Sequence, residues 1–193
     1  MIKATIDGVK LHFETAGASF SPNSIDAGTL AMLSTAQLSP TDKVLDLGCG
    51  YGVVGIYVAK IIGAHNIVMS DIVPECVSLS KRNAEANGVG CVEVALSDGF
   101  DNIKDNDFTL ILSNPPYHSD FSVSKRFIEK GFNRLKIGGK LLMVTKRKEW
   151  YKNKLIKIFG GVRIAEIDGY FVFCSEKRSM RYAKARGSTN KNS

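Results

Sequence analysis

The chain has 193 residues, of which 44% are hydrophobic and 23% are charged, and its formal net charge is +7 at pH 7. This length allows one sizeable hydrophobic core and not comfortably two, and the composition is ordinary for a soluble globular protein. The positive charge favours an anionic partner, with nucleic acid as the first candidate.

The sequence does not have the usual marks of a membrane, secreted or metal-binding protein. The longest mostly apolar run, Val53 to Gly63, contains Lys60 and is too short to span a bilayer. The first residues do not have the basic-then-apolar form of a signal peptide. The four cysteines form no C-x-x-C pair and the three histidines are scattered, so we expect free thiols and no metal site. These features predict a cytoplasmic protein with no membrane partner.

Residues 1–39 are predicted to form a hairpin and a helix that pack on the core. Apolar and polar residues alternate on both sides of Asp7-Gly8, which predicts a β-hairpin with a type I′ turn. Asn23 or Ser24 could cap the helix that follows. The apolar positions expected on this helix are Leu30, Leu33 and Leu38.

Residues 40–176 alternate between strand-like and helix-like runs, which is typical of an α/β fold. The predicted strands are 43–47, 66–70, 91–96, 107–112, 140–145, 162–167 and 170–174. The predicted helices are 53–62, 74–87, a helix capped by Ser122 or Ser124 and reaching Leu135, and 150–159. Asp168-Gly169 makes the last two strands a hairpin. The expected fold is therefore a Rossmann-like seven-stranded, mostly parallel sheet with an antiparallel terminal hairpin and helices on both faces.

The turn after the first of these strands is dense in glycine. Gly48, Gly50 and Gly52 let the main chain approach a ligand, and the helix that follows offers its N-terminus to an anionic group. Asp46, directly before the glycines, could accept bonds from a ligand's ammonium group. The glycine spacing alone also fits a dinucleotide site or a fold without a ligand.

A second acidic residue follows the next strand. Asp71 comes 25 positions after Asp46, close to the spacing at which Rossmann-like folds place an acid on ribose hydroxyls, and a carboxylate can accept two hydroxyl bonds at once. The alternative is a charge that stabilises the next helix N-terminus. Ile72 is a further candidate for contact with a cofactor.

The glycine-rich turn and the later stretch Asn114-Pro115-Pro116-Tyr117 resemble motifs I and IV of the class I S-adenosylmethionine (SAM)-dependent methyltransferases. The resemblance implies SAM as the cofactor. In related enzymes an acid at the position of Asp98 binds the adenine amino group, and the next apolar side chain, here Phe100, lies against the ring. A polar turn is the other interpretation of Asp98. The implied cofactor-binding residues are Asp46, Gly48, Gly50, Gly52, Asp71, Ile72, Asp98, Phe100 and Asn114.

The second motif suggests chemistry on an exocyclic amine or an amide. Such a nitrogen is a poor nucleophile, because its lone pair is delocalised. The side-chain oxygen of Asn114 and the carbonyl of Pro115 could hold both N–H protons and direct the lone pair at the methyl group, with positioning as the main gain. Pro115 and Pro116 have no N–H donors to compete. Tyr117 would stack on a planar target.

Two further features resemble the small-domain 16S ribosomal RNA guanine-N2 methyltransferases. One is His118 after the motif, and the other is the stretch Phe20-Ser21 with Asp26-x-Gly28-Thr29. The resemblance implies guanine N2 of ribosomal RNA as the acceptor, and it implies that Asp26 and Thr29 line the SAM pocket, although either could simply cap a helix. Known members carry an additional, duplicated N-terminal domain, in whose place this chain has the hairpin.

Other acceptors and partners stay open from the sequence. Glutamine-N5 methylation of release factors or ribosomal proteins and adenine-N6 methylation of nucleic acid share the second motif, while an inactive RNA-binding fold or a dehydrogenase fits fewer features. Basic residues 146–148 follow the fifth strand near the expected site, which favours RNA or a ribosomal subunit as partner. Residues 177–193 are expected to be a basic, disordered tail that binds phosphates or aids solubility. No pattern indicates the oligomeric state.

Overall fold

The computed structural model describes residues 1–15, 24–115 and 121–183, and its centre is one large sheet. The strands are β1 (Ile2–Ile6), β2 (Val9–Phe13), β3 (Val44–Leu47), β4 (Ile67–Asp71), β5 (Glu93–Leu96), β6 (Phe108–Ser113), β7 (Leu135–Thr145), β8 (Arg163–Ile167) and β9 (Tyr170–Glu176). The helices are α1 (Ala27–Thr35), α2 (Val53–Ile62), α3 (Pro74–Ala86), α4 (Phe121–Arg134) and α5 (Lys148–Phe159).

The large sheet has seven strands in the order β5-β4-β3-β6-β7-β9-β8. The first five strands in this order run parallel, and β9 runs antiparallel to both β7 and β8. The central strand β3 is buried at every position, as expected for a parallel strand that is covered on both sides. The predicted seven-stranded, mostly parallel sheet with a terminal hairpin is confirmed.

Helices cover both faces of this sheet, as predicted. Helices α1, α2 and α3 pack on one face together with the small β1–β2 hairpin, and α4 and α5 pack on the other. The apolar stripe of α4 includes Phe127, Ile128 and Phe132, all buried, so burial of this stripe holds the helix against the sheet. No helix in the described part of the chain is long and apolar enough to cross a membrane.

The N-terminal hairpin has the predicted type of turn and is part of the hydrophobic core. Asp7 and Gly8 adopt φ values of 45° and 81°, which the tight two-residue turn requires. The side chains of Ile2, Leu11 and Phe13 are buried in the same cluster as α2. This burial fixes the hairpin in place on the outer side of α2 and α3.

Both ends of two predicted helices are wrong. The cap of α1 is Asp26, whose carboxylate accepts the N–H of Thr29 at 3.0 Å, rather than Ser24; Asn23 lies outside the described residues. Helix α1 ends at Thr35, before Leu38. Helix α4 already includes Ser122 and Ser124, and Leu135 begins strand β7 instead of closing the helix.

The segment after β9 also differs from the prediction. Lys177, Tyr182 and Ala183 contact the fold instead of belonging to a disordered tail, whereas residues 178–181 are exposed. Lys177 is 4% exposed and donates to the carbonyl of Leu135 at 2.6 Å. The ring of Tyr182 contacts Phe132 edge to face. Packing of the Tyr182 ring and of the aliphatic part of the Lys177 side chain therefore extends the ordered chain beyond residue 176, where the run of charged residues had placed its end. Residues 184–193 lie outside the described part of the chain.

Candidate functional site

The candidate site lies where three neighbouring strands end. Strands β4, β3 and β6 are adjacent and parallel, so the residues that follow them meet at one edge of the sheet. A cavity at this edge brings together six of the residues predicted from the sequence. They are Asp26, Thr29, Asp46, Gly48, Gly50 and Asn114.

The glycine-rich loop bends sharply from β3 into α2. Gly48, Gly50 and Gly52 have φ values of 78°, 56° and 97°, which side chains other than glycine rarely adopt. Gly52 is the residue that caps α2, and a Cβ on it would lie 2.9 Å from the side chain of Ile56. The loop can therefore pass close to α2 and leave the N-terminus of this helix facing the cavity edge.

Asp46 is a buried carboxylate beside the cavity. Its side chain is 2% exposed, and one oxygen accepts the N–H of Gly55 at 2.8 Å. Burial raises the pKa of Asp46 to about 7, although the hydrogen bond from Gly55 opposes this shift, and the nearby charge of Asp71 adds to it. A buried anion of this kind is stabilised by a cationic ligand, so the site fits the ammonium group of SAM.

Asp71 organises the glycine loop from the end of β4. One carboxylate oxygen accepts the N–H of Gly50 at 2.8 Å, and the other accepts the N–H of Val73 at 2.9 Å. The next side chain, Ile72, is 61% exposed. An exposed apolar side chain at this place fits one that the apolar face of a bound ligand would cover. The contact of Asp71 with ribose and the contact of Ile72 with the cofactor stay predictions.

Asp98 and Phe100 differ from each other in exposure. Asp98 is exposed and forms a two-pronged ion pair with Arg126 of α4, which was not predicted. Phe100 is 1% exposed and contacts Phe127 edge to face in the core. The predicted contact between Phe100 and an adenine ring does not fit this position, because the side chain supports the loop from inside the core.

Asn114 is held by the first turn of α1. Its side-chain nitrogen donates to the carboxylate of Asp26 at 2.8 Å and to the hydroxyl of Thr29 at 3.0 Å. Since a carboxylate only accepts hydrogen bonds, the amide nitrogen must face Asp26, and the amide oxygen must point the other way. Asp26 and Thr29 therefore fix the orientation of Asn114, a role that the sequence did not reveal.

The remaining predicted residues of the second motif are only partly described. Pro115 is buried at the end of β6. Pro116, Tyr117 and His118 lie outside the described residues, as do Phe20 and Ser21, so their roles stay predictions.

Five cavity residues were not singled out as site residues by sequence reasoning. Four are apolar or sulfur-containing side chains, and the fifth is an aromatic side chain inside the glycine-rich loop; they are Ile25, Cys49, Val53, Val54 and Tyr51. The position of Tyr51 between two loop glycines was the available signal, because a large side chain there has to lie against the loop or against a ligand.

A comparison with protein families identifies the family of the chain. Residues 10–174 match the model of the methyltransferase small domain. The chain belongs to the methyltransferase small-domain family. This result confirms the predicted class of enzyme and its predicted cofactor, SAM.

Relatives differ in the share of their length that the chain covers. Ribosomal RNA small subunit methyltransferase C of Haemophilus ducreyi is 36% identical over 153 residues, which are 76% of this chain and 46% of that protein. Protein YbxB of Bacillus subtilis is 31% identical over 164 residues, which are 82% of each chain. The chain thus spans about half the length of the ribosomal RNA methyltransferases that it matches.

Solved structures share the fold. The 16S rRNA N2 methyltransferase RsmC of Thermus thermophilus, in complex with AdoMet and guanosine, has a TM-score of 0.82 at 28% identity, covering 91% of this chain and 50% of that one. A ribosomal protein L11 methylase of Lactobacillus delbrueckii has a TM-score of 0.66 at 18% identity, covering 79% and 78% of the two chains. The latter likeness concerns the fold alone.

The buried charge of Asp46 predicts a stability cost that depends on pH. Its folded-state pKa of about 7 lies above the unperturbed 3.8, so the free energy of unfolding falls as pH rises through this interval. Asp46→Asn keeps an acceptor for Gly55 and removes the charge. Without SAM, this variant should be more stable than wild type at pH 8, by roughly 1–4 kcal/mol, and by less at pH 5.

Calorimetric unfolding of both proteins at the two pH values measures this difference. The same variant should bind SAM more weakly, because an amide does not neutralise an ammonium group. A variant that is equally stable to wild type at both pH values would show that burial of the Asp46 charge costs the folded protein nothing.

Proposed function

We propose that this protein is a SAM-dependent N-methyltransferase that acts on the exocyclic N2 amine of guanine in ribosomal RNA, free or in a ribosomal subunit, in the cytoplasm. The observation that carries the proposal is the fixed side chain of Asn114 at the cavity edge, with its nitrogen on Asp26 and Thr29. The names of the relatives, ribosomal RNA methyltransferases and an N2 methyltransferase crystallised with guanosine, support the choice of guanine.

The residues of the chain can hold the cofactor in one orientation. Asp46 would face the ammonium group, the glycine loop and the N-terminus of α2 would face the carboxylate, and Asp71 at the end of β4 would accept hydrogen bonds from the ribose hydroxyls. When bound, SAM supplies an electrophilic methyl group on a positively charged sulfur. The described residues offer acceptors and backbone N–H groups for all the other charged parts of the molecule, so the site fits this cofactor.

Asn114 would activate the acceptor by orienting it. The amide oxygen of Asn114 accepts one N–H of the amine, and the carbonyl of Pro115 accepts the other. Two acceptors in fixed positions favour the pyramidal nitrogen, whose lone pair then points at the methyl group for an in-line displacement. Because α1 holds the amide before the substrate arrives, little ordering is left for the reaction step.

A basic surface next to Asn114 supports RNA as the acceptor. Lys146, Arg147 and Lys148 follow β7, the strand beside β6, so they lie at the same edge as Asn114. Each cation lies over an aromatic ring at 4.8 to 4.9 Å from its centroid. The rings are those of Tyr170, Phe121 and Phe171. Cations on aromatic faces suit a partner that presents phosphates and planar bases.

The identity of the methylated product tests the proposed substrate. Wild-type protein with methyl-labelled SAM should transfer label to undermethylated small ribosomal subunits or to their RNA, and digestion should yield N2-methylguanosine. Naked ribosomal RNA, bulk tRNA and a release factor serve as alternative acceptors. Label recovered in N6-methyladenosine or methylglutamine would reject guanine while keeping the role of Asn114, and no transfer to any acceptor would reject the proposal.

Charge reversal tests the basic surface. Replacing Lys146, Arg147 and Lys148 with glutamate should weaken RNA binding and reduce the dependence of its affinity on salt, because fewer phosphate counterions are released. A matched control reverses Lys104, Lys136 and Lys157, which are exposed near the opposite edge of the sheet. Both triple variants have the same net charge. Binding assays at several salt concentrations compare the two variants. If both lose the same amount of RNA affinity, residues 146–148 are not part of the RNA-binding surface.

A further inference from the structure

Helix α3 binds the outer edge of the N-terminal hairpin through two asparagines. His12 and Glu14 point their backbone groups away from β1, as alternate residues of an antiparallel hairpin strand do. Asn87 accepts the N–H of His12 at 3.1 Å and donates to its carbonyl at 2.7 Å. Asn83 does the same with Glu14, at 2.8 and 3.0 Å. The two amides therefore take the place of a neighbouring strand.

The two asparagines differ in one hydrogen bond. Each has a second N–H that does not reach the hairpin. In Asn87 it donates to the carbonyl of Asn83 within α3 at 2.7 Å. In Asn83 it donates to the carbonyl of Tyr51 in the glycine-rich loop at 2.8 Å. Asn83 is 1% exposed and Asn87 is 7% exposed, so both amides depend on these protein partners for their hydrogen bonds.

Further contacts link the same part of the loop to α3 and to the hairpin. Ser80, one turn before Asn83, donates to the carbonyl of Gly50 at 2.7 Å. The ring of Phe13 at the end of β2 contacts the ring of Tyr51 edge to face, with centroids 5.6 Å apart. Two consecutive loop carbonyls are thus held by α3, and the side chain of Tyr51, which lines the cavity, is held by the hairpin.

We propose that Asn83 is a positioning residue for SAM, which couples the N-terminal hairpin to the glycine-rich loop. By holding the carbonyl of Tyr51, Asn83 fixes the plane of the peptide unit between Tyr51 and Gly52, in a stretch where glycines would otherwise leave the backbone adaptable. A loop held in its binding conformation loses less entropy when the ligand arrives. This inference rests on the proposed use of the cavity by SAM.

The difference between Asn83 and Asn87 supplies a matched test. Asn83→Ala and Asn87→Ala each remove the two hydrogen bonds that one asparagine makes to the edge of the hairpin. Both variants should therefore lower the unfolding temperature by similar amounts. Only Asn83→Ala also releases the loop, so it should weaken SAM binding about tenfold, while Asn87→Ala should leave the dissociation constant within about twofold of wild type. Calorimetry of the full chain gives both quantities.

The possible outcomes separate this inference from the proposed function. Equal SAM affinities of the two variants would overturn it, whether both are weakened or neither is. If Asn83→Ala does not fold, Phe13→Leu keeps an apolar core residue and removes the ring contact with Tyr51; it should weaken SAM binding, and unchanged affinity would overturn the coupling. A wild-type protein that fails to bind SAM would overturn the proposed function, and this inference with it.

Discussion

The site depends on one constraint, which is that three parallel strands end side by side. Strands β4, β3 and β6 are neighbours in the sheet, so Asp71, the glycine-rich loop and Asn114 must lie at one edge although they are distant in sequence. The glycine-rich loop leads from β3 into α2, whose first N–H groups have no acceptor within the helix. The edge therefore gathers the N–H groups and polar side chains that a charged cofactor needs.

Helix α1 adds the side chains that orient Asn114 at this edge. Asp26 lies 88 residues before Asn114. Its carboxylate prevents the amide group of Asn114 from turning by 180°, because the amide oxygen would then face a carboxylate oxygen. The same carboxylate caps α1. One side chain thus couples the start of a helix to the orientation of Asn114, which makes the region before the parallel sheet a working part of the site.

The positions predicted best from the sequence depend on local patterns. Buried strands, helix periodicity and the turns at Asp7-Gly8 and Asp168-Gly169 are encoded by adjacent residues, because backbone preferences act over short distances. The pair of strand-end motifs also predicted the family, since each motif depends on a strand, a turn and one polar side chain.

Predictions were wrong or incomplete where the partner of a side chain is far away in sequence. The ion pair between Asp98 and Arg126, the burial of Phe100 and the packing of Tyr182 on Phe132 all follow from tertiary contacts. The cap of α1 was misplaced because three polar residues compete there, and tertiary packing decides which one is used. The hydrogen bonds of Asn83 and Asn87 to the hairpin could not be predicted from the sequence, because their partners are also far away in the chain.

The most direct test of this account is the single-turnover rate of methyl transfer by Asn114→Ala at saturating SAM and RNA, with SAM affinity measured alongside. If the oriented amide activates the amine, the rate should fall by about a thousandfold or more, while SAM still binds. A variant that keeps near wild-type turnover would contradict the account, because the acceptor amine would then be oriented by other groups.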